Sequence, residues 1–328
     1  MNNGIGGSTA QIELDKIANR TEGIQPIQLE EYQDRLKKAS QLMQNLDIKA
    51  TYINAGTNLY YFTGTKWNAS ERMVGALLFA DGSLEYIVPK FEDGTFKKYQ
   101  KVEAPLNCWE EHESPYALLG TLLKNRNITE GTIALDESAA YFLIDGVTKA
   151  NPAYTFINAQ PITTGCRIQK SANEIAIIQR AKDITMEVHR AVARILRPGI
   201  SVKEVTEFIN AAHIKAGATA GSYFCIVLFS DDSQYPHGVT VAQDLKENDI
   251  VLVDTGCQLE GYLSDITRTY VYGTPTERQR EIWNLEKQTQ QAAFDAAQIG
   301  ATCGSVDDAA RKVLAAAGLS GDYQLPGL

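Results

Sequence analysis

Residues 251 to 272 read VLVDTGCQLEGYLSDITRTYVY. Two alternating runs rich in β-branched and aromatic residues, Ile250 to Cys257 and Tyr262 to Tyr272, flank a polar break closed by Gly261, and this pattern predicts a β-hairpin. A turn centred between Leu259 and Glu260 pairs residues whose numbers sum to 519, which sets Asp254 opposite Asp265. Their Cβ atoms would then share a face about 4.5–5.5 Å apart. Carboxylates that close repel: they share a proton, with one pKa raised, or they jointly hold a hard cation. The plainer alternative has Asp254 at a strand end and Asp265 in solvent. Register decides between them, because a slip of one residue moves every side chain to the other face.

The 328-residue chain is 44% hydrophobic and 22% charged, a globular composition with room for two domains. A net charge of -9 argues against a nucleic-acid surface, which needs clustered Lys and Arg. The five cysteines, Cys108, Cys166, Cys225, Cys257 and Cys303, are scattered, without CxxC spacing, so neither a zinc knuckle nor a disulfide framework is expected and a reducing cytoplasm fits. The amino terminus lacks the basic start and apolar core of a signal peptide, and no apolar run approaches the roughly 20 residues that span a bilayer. No membrane partner is expected.

Residues 1–25 read as a flexible leader. LEEYQDRLKKASQLMQNLDI then carries Tyr32, Leu36, Ala39, Met43 and Leu46 at helical spacing, and strand-like ATYINA, GALLFA, LEYIVP, TIALDE and TFINAQ alternate with helical ESPYALLGTLLKNR and SAAYFLIDGVTKA. Residues 26–165 are thus expected to form an α/β domain, a mixed sheet with flanking helices, and no phosphate loop or Gly-rich cofactor fingerprint interrupts it. Within it, Tyr60, Tyr61, Trp67 and Asn68 stand in a loop-like stretch, where core packing explains the aromatics before ligand contact does. A second domain, 166–328, opens on a helix whose apolar face is expected to hold Ile175, Ile178, Val188, Val192 and Ile195; Ser201, with Glu204, caps the next helix. Beyond the hairpin, Thr274, Pro275 and Glu277 suggest a further capped helix. GATCGSVDDAARKVLAAAG then repeats the pattern of RPGISVKEVTEFINAAHIKAG, as in a duplicated helix-helix-strand unit.

The segment TGxxxxGYxSDxTRT, residues 255 to 269 following Asp254, resembles the metal-binding segment of the pita-bread metallopeptidases, which include Xaa-Pro aminopeptidases, prolidases, methionine aminopeptidases and creatinases. Arg167, Lys170, Glu174 and Ile175 resemble the entry to that domain's first helix. The preceding α/β domain is similar to that of the Xaa-Pro and creatinase branch. The resemblance implies a creatinase-like N-terminal domain followed by an α+β pita-bread catalytic domain. It implies Asp254 as a ligand to one divalent metal (Mn²⁺, Co²⁺ or Zn²⁺), Asp265 as a bridge between two, His237 in YPHG as the catalytic group that contacts substrate, and Thr267 as support for Asp265. Arg268 reads equally as a surface salt-bridge partner. The implied activity is hydrolysis of Xaa-Pro bonds in dipeptides or at peptide N-termini by a homodimer.

The sequence departs from the family downstream. The family's remaining ligands are a histidine and two glutamates, but no histidine follows His237, and Glu277, Glu281 and Glu286 fall on the polar side of a helix. The terminal QLPGL resembles the approach to the family's Gly-His-Gly segment. The expectation is therefore a pita-bread domain lacking its last strands, a chain that binds metal weakly or not at all, and little or no catalysis by it. The alternatives are a silent binding or oligomerisation module of the same fold and a creatinase-like C–N hydrolase.

Overall fold

The computed structural model describes residues 4–241 and 243–319. The elements in chain order begin with α1 (Ala10–Lys16), α2 (Leu29–Asn45), β1 (Ile48–Asn54), α3 (Thr57–Thr63), β2 (Gly75–Phe79), β3 (Leu84–Pro89), α4 (Asp93–Tyr99) and β4 (Leu106–Trp109). Next come α5 (Pro115–Asn125), β5 (Gly131–Leu135), α6 (Tyr141–Ala150), β6 (Tyr154–Asn158), α7 (Gln160–Arg167), α8 (Ala172–Ile195) and α9 (Val202–Lys215). The hairpin region holds β7 (Ser222–Phe229), β8 (Ile250–Leu259), β9 (Tyr262–Leu263) and β10 (Ile266–Val271), followed by α10 (Glu277–Ala296) and α11 (Cys303–Ala316). No helix among the described residues is long and apolar enough to cross a membrane.

Two compact units divide the chain. One comprises residues 22–180 with 259–262. Its sheet is mixed, in the order β4-β3-β2-β1-β5-β6, with β1 antiparallel to β2 and parallel to β5. Strand alternation sorts its apolar side chains into two cores: Ala76, Leu78 and Val88 meet Leu36, Met43 and Phe62 on one side, while Leu77, Phe79 and Ile87 meet Leu119, Leu123 and Val147 on the other. Both faces are covered, which is why these strands read as nearly continuous hydrophobic runs. Each fully buried Leu, Ile or Phe contributes about 1.5–3 kcal/mol. Tyr60 and Tyr61 lie on α3 rather than in a loop, because Gly64, with φ 70, ends a full helical turn there. Strand β4, whose four residues are too few to show a period, was invisible to patterning.

A buried charge network ties this unit together. Arg35 donates to Glu31 at 2.7 Å, to the Tyr61 carbonyl at 2.8 Å and to the Tyr262 hydroxyl at 3.1 Å, and lies 3.4 Å from Glu174. Tyr262 in turn donates to Glu174 at 2.7 Å. Glu174 also closes a capping box at the start of α8, accepting from the Ser171 backbone N–H while Ser171 Oγ accepts from its own.

The other unit comprises residues up to 21, 181–258 and 263 onward. The buried stripe of α8 runs Glu174, Ile177, Ala181, Ile184, Val188, Ala191, Val192 and Ile195; Ile175, expected on that face, is exposed, since three- and four-residue steps back from Val188 reach Ile177 and Glu174. Ser201 caps α9 as expected, accepting from Glu204 at 3.1 Å. Two expectations fail here. Residues 10–16 of the supposed flexible leader form α1, capped by Thr9, whose fully buried Glu13 accepts from Ser8, Lys16 and Arg194. The cap of α10 is Thr276 and not Thr274: its side chain accepts from Gln279 while Gln279 bonds back, a complete capping box that the Thr-Pro-Thr-Glu reading displaced by two residues. Glu277, Glu281 and Glu286 are exposed, and the QLPGL segment lies outside the described residues.

Replacing Arg35 by Met keeps the apolar stem but strands Glu174 in the interior. The expected loss is about 3 kcal/mol of unfolding free energy, read from urea denaturation; a loss below about 0.5 kcal/mol would show that the network is energetically idle.

Candidate metal centre

The hairpin forms, with a register other than the one expected. Glu260 and Gly261 both adopt positive φ, 49° and 86°, the signature of a two-residue type I′ turn. The turn therefore centres between Glu260 and Gly261, and Asp254 pairs with Thr267 and Thr255 with Ile266. The sum is 521, not 519. Because the error is two residues, an even number, the faces survive it: Asp265 becomes the diagonal neighbour of Asp254 on the same face. Glycine is required at 261 twice over, for its φ and because a Cβ there would lie 2.2 Å from Tyr60 Cε1.

The two faces of the four-stranded sheet, in the order β10-β8-β7 with β9 also paired to β8, differ. Val227, Phe229, Val251, Val253, Thr255 and Cys257 are buried on one side. Asp254 stands on the other, half-buried, beside its β7 partner Ile226. Its Oδ1 is buried and has no hydrogen-bond partner. Such an atom costs about 1–3 kcal/mol unless something positive or protic meets it. Burial, then the charge of Asp254 and direct contact with it, push the Asp265 carboxyl above its ordinary pKa. Asp265 is itself exposed, as the plainer alternative had it, while Asp254 is half-buried.

His237 follows a short 3-10 turn, Ser230–Gln234, and is exposed. A Cβ on its neighbour Gly238 would lie 4.0 Å from Ile226 Cγ2 and Leu228 Cδ2. Ile226 is the cross-strand partner of Asp254, so this loop crosses the aspartate face. Thr267 is exposed opposite Asp254. Arg268 points the other way, donating to the Met186 sulfur at 3.1 Å and to the Thr267 carbonyl at 2.7 Å.

Sequence reasoning missed the polar chain beneath the site. Thr185 Oγ1 lies 2.7 Å from Ser264 Oγ and 3.2 Å from His213 Nε2, and His213 Nδ1 lies 2.9 Å from Ser222 Oγ. Ser264 Oγ also accepts from the Cys257 amide at 2.9 Å. Thr185 and His213 sit at ordinary buried helix positions, which no spacing separates from core; only the Ser-Asp dipeptide at 264–265 offered a signal.

Two carboxylates, one with an orphaned oxygen, suit part of the shell of one hard divalent ion, which takes six or more oxygens. They do not suit a dinuclear centre, since among the described residues no group of three or more His, Cys, Asp or Glu could hold a metal.

Residues 176–326 match the model of Metallopeptidase family M24, and residues 35–169 that of the Creatinase/Prolidase N-terminal domain. The chain is 31% identical to the candidate dipeptidase YkvY of Bacillus subtilis over 294 residues, 88% of this chain and 80% of that protein. It belongs to metallopeptidase family M24. It is also 28% identical to the Xaa-Pro dipeptidase of Pyrococcus furiosus, over 88% of this chain and 79% of that protein. Among solved structures, the dipeptidase PepE of Mycobacterium ulcerans superposes with a TM-score of 0.83 at 28% identity, over 90% of this chain and 79% of that one. The architecture is the two-domain pita-bread fold of M24 prolidases, with its α/β N-terminal domain.

Burial pushes the His213 imidazole from 6.5 down to about 4, with His189 adding to the shift. The folded pKa lies below the unfolded one, so the unfolded chain takes up the proton first and stability falls as pH drops from about 6.5 toward 4. This residue should remove about 2 kcal/mol of stability between pH 7 and pH 5. Urea midpoints across that range should fall less steeply for His213→Asn; an unchanged slope would contradict the assignment.

Proposed function

We propose that this M24 peptidase is an exopeptidase of the Xaa-Pro dipeptidase or aminopeptidase type, and that Asp254 and Asp265 are two of its metal ligands. The observation that carries the reading is the Asp254 Oδ1 atom, buried and unpartnered beside a second carboxylate on the same sheet face. When bound, a divalent ion such as Mn²⁺, Co²⁺ or Zn²⁺ supplies Lewis-acid polarisation and a water of lowered pKa.

The remaining roles fall to the chain's own groups. Asp254 presents its oxygens from β8 and Asp265 from the gap between β9 and β10, on a hairpin whose type I′ turn sets the register. His237, on the loop that crosses this face, donates to the oxyanion that develops as the scissile carbonyl is attacked. The Pyrococcus furiosus relative, named an Xaa-Pro dipeptidase, supports a bond preceding proline as the target. Residues 26–165 serve as the creatinase-like domain and 166–328 as the catalytic one, in a homodimer. The five free cysteines are compatible with a reducing cytoplasm.

The natural protein, loaded with Mn²⁺, is expected to hydrolyse Ala-Pro or proline-containing tripeptides and to leave creatine intact. Creatine turnover would favour the C–N hydrolase, and no turnover of any proline peptide would remove the leading reading. Asp265→Asn should lower kcat/KM at least about 1,000-fold, as removal of a group acting in the transition state does. Calorimetric titration of the 328-residue chain with Mn²⁺ should show no two-ion binding of submicromolar affinity; such binding would mean that ligands beyond the two aspartates are present.

A further inference from the structure

Asp265 occupies a gap in the ladder. Strand β9 ends at Leu263 and β10 begins at Ile266, so regular inter-strand bonding does not hold the one residue whose direction matters most. Ser264 holds the gap instead. Its N–H donates to the Cys257 carbonyl at 3.0 Å, its Oγ accepts from the Cys257 N–H at 2.9 Å, and the same Oγ lies 2.7 Å from Thr185 Oγ1 on α8. Ser264, Cys257, Thr185 and His213 are all essentially inaccessible to solvent.

Adjacent residues of extended backbone point to opposite faces. Drawing the Ser264 side chain down onto α8 therefore turns the Asp265 side chain up, onto the face that carries Asp254. The backbone is fitted to this arrangement. A Cβ on Gly256 would lie 1.8 Å from the Ser264 carbonyl oxygen, so any other residue there would displace the Ser264 peptide. Thr185 adds more than shape. Valine would fill the same volume in an apolar layer without a hydroxyl to satisfy, yet the hydroxyl is present and bridges Ser264 to His213 Nε2.

We infer that Thr185 is a positioning residue for Asp265: through Ser264 it fixes the direction of that carboxylate relative to Asp254, and His213, held by Ser222, holds Thr185 in turn. The inference concerns the site of the proposed function, but it does not depend on turnover.

The test compares Thr185→Val, which keeps the shape, with Thr185→Ser, which keeps the hydroxyl, by amide hydrogen exchange and by three-bond couplings that report χ1 of Asp265. Thr185→Val should lower protection of the Cys257 and Ser264 amides at least about tenfold more than that of other slow amides and average the Asp265 rotamer. Thr185→Ser should retain both. Equal loss of protection throughout the unit, no loss, or a serine variant that behaves like valine would each overturn the assignment. If Thr185→Val does not fold, Thr185→Ala, which removes the same hydroxyl without adding a second branch, is compared with Thr185→Ser in the same way, with the same outcomes deciding. A protein without peptidase activity that nevertheless shows this local pattern would keep the inference and lose only the proposed function.

Discussion

The geometry of the aspartate pair rests on a two-residue turn. Because Glu260 and Gly261 are both left-handed, β8 can pair with the returning strand in one register only, and that register puts Asp254 and Asp265 diagonally across one face. A turn of odd displacement would have sent one carboxylate into the apolar layer beside Val253 and Cys257. There, without a partner, it could not have remained charged. The turn is itself held in place by contact: the Tyr60 hydroxyl donates to the Glu260 carbonyl at 3.1 Å, and the Tyr60 ring fills the space that a Gly261 side chain would need.

The same sheet illustrates how buried polar groups are treated differently according to their task. Thr185, His213, Ser222 and Ser264 satisfy one another beneath the sheet, as interior polar groups generally do. Asp254 Oδ1, on the other face, is left without a partner. The Tyr270 hydroxyl on β10 is likewise buried without a partner, but Asp254 has a second carboxylate beside it. The network of Arg35, Glu31, Glu174 and Tyr262 is the structural counterpart, several charges paired in the interior with every main contact made.

Much of the fold was legible in the residues. The short apolar runs GALLFA and LEYIVP, the helical spacing of Tyr32, Leu36, Ala39 and Met43, and the Ser201 cap all carry local physical signals, and the elements they mark are present where those signals lie. The errors are also local in kind. Thr274 and Thr276, like Ile175 and Ile177, carry nearly equal local signals, and the folded chain uses Thr276 as the cap and buries Ile177. Helix α1 was missed because seven residues carry little periodicity, and what orders them is the burial of Glu13 against Arg194, far away in sequence.

The identity of Asp254 and Asp265 as a pair, and the family to which the chain belongs, follow from residue order, because strand period and the Gly-Tyr, Ser-Asp and Thr-Arg-Thr spacing are properties of the chain as written. Register, the orphaned oxygen and the Thr185–Ser264 support do not follow from it. They depend on which backbone conformation Glu260 accepts and on how helices from distant parts of the chain bring hydroxyls and an imidazole under the strand. Such contacts are fixed by packing in three dimensions, where a residue's neighbours are set by the whole fold and not by its place in the chain.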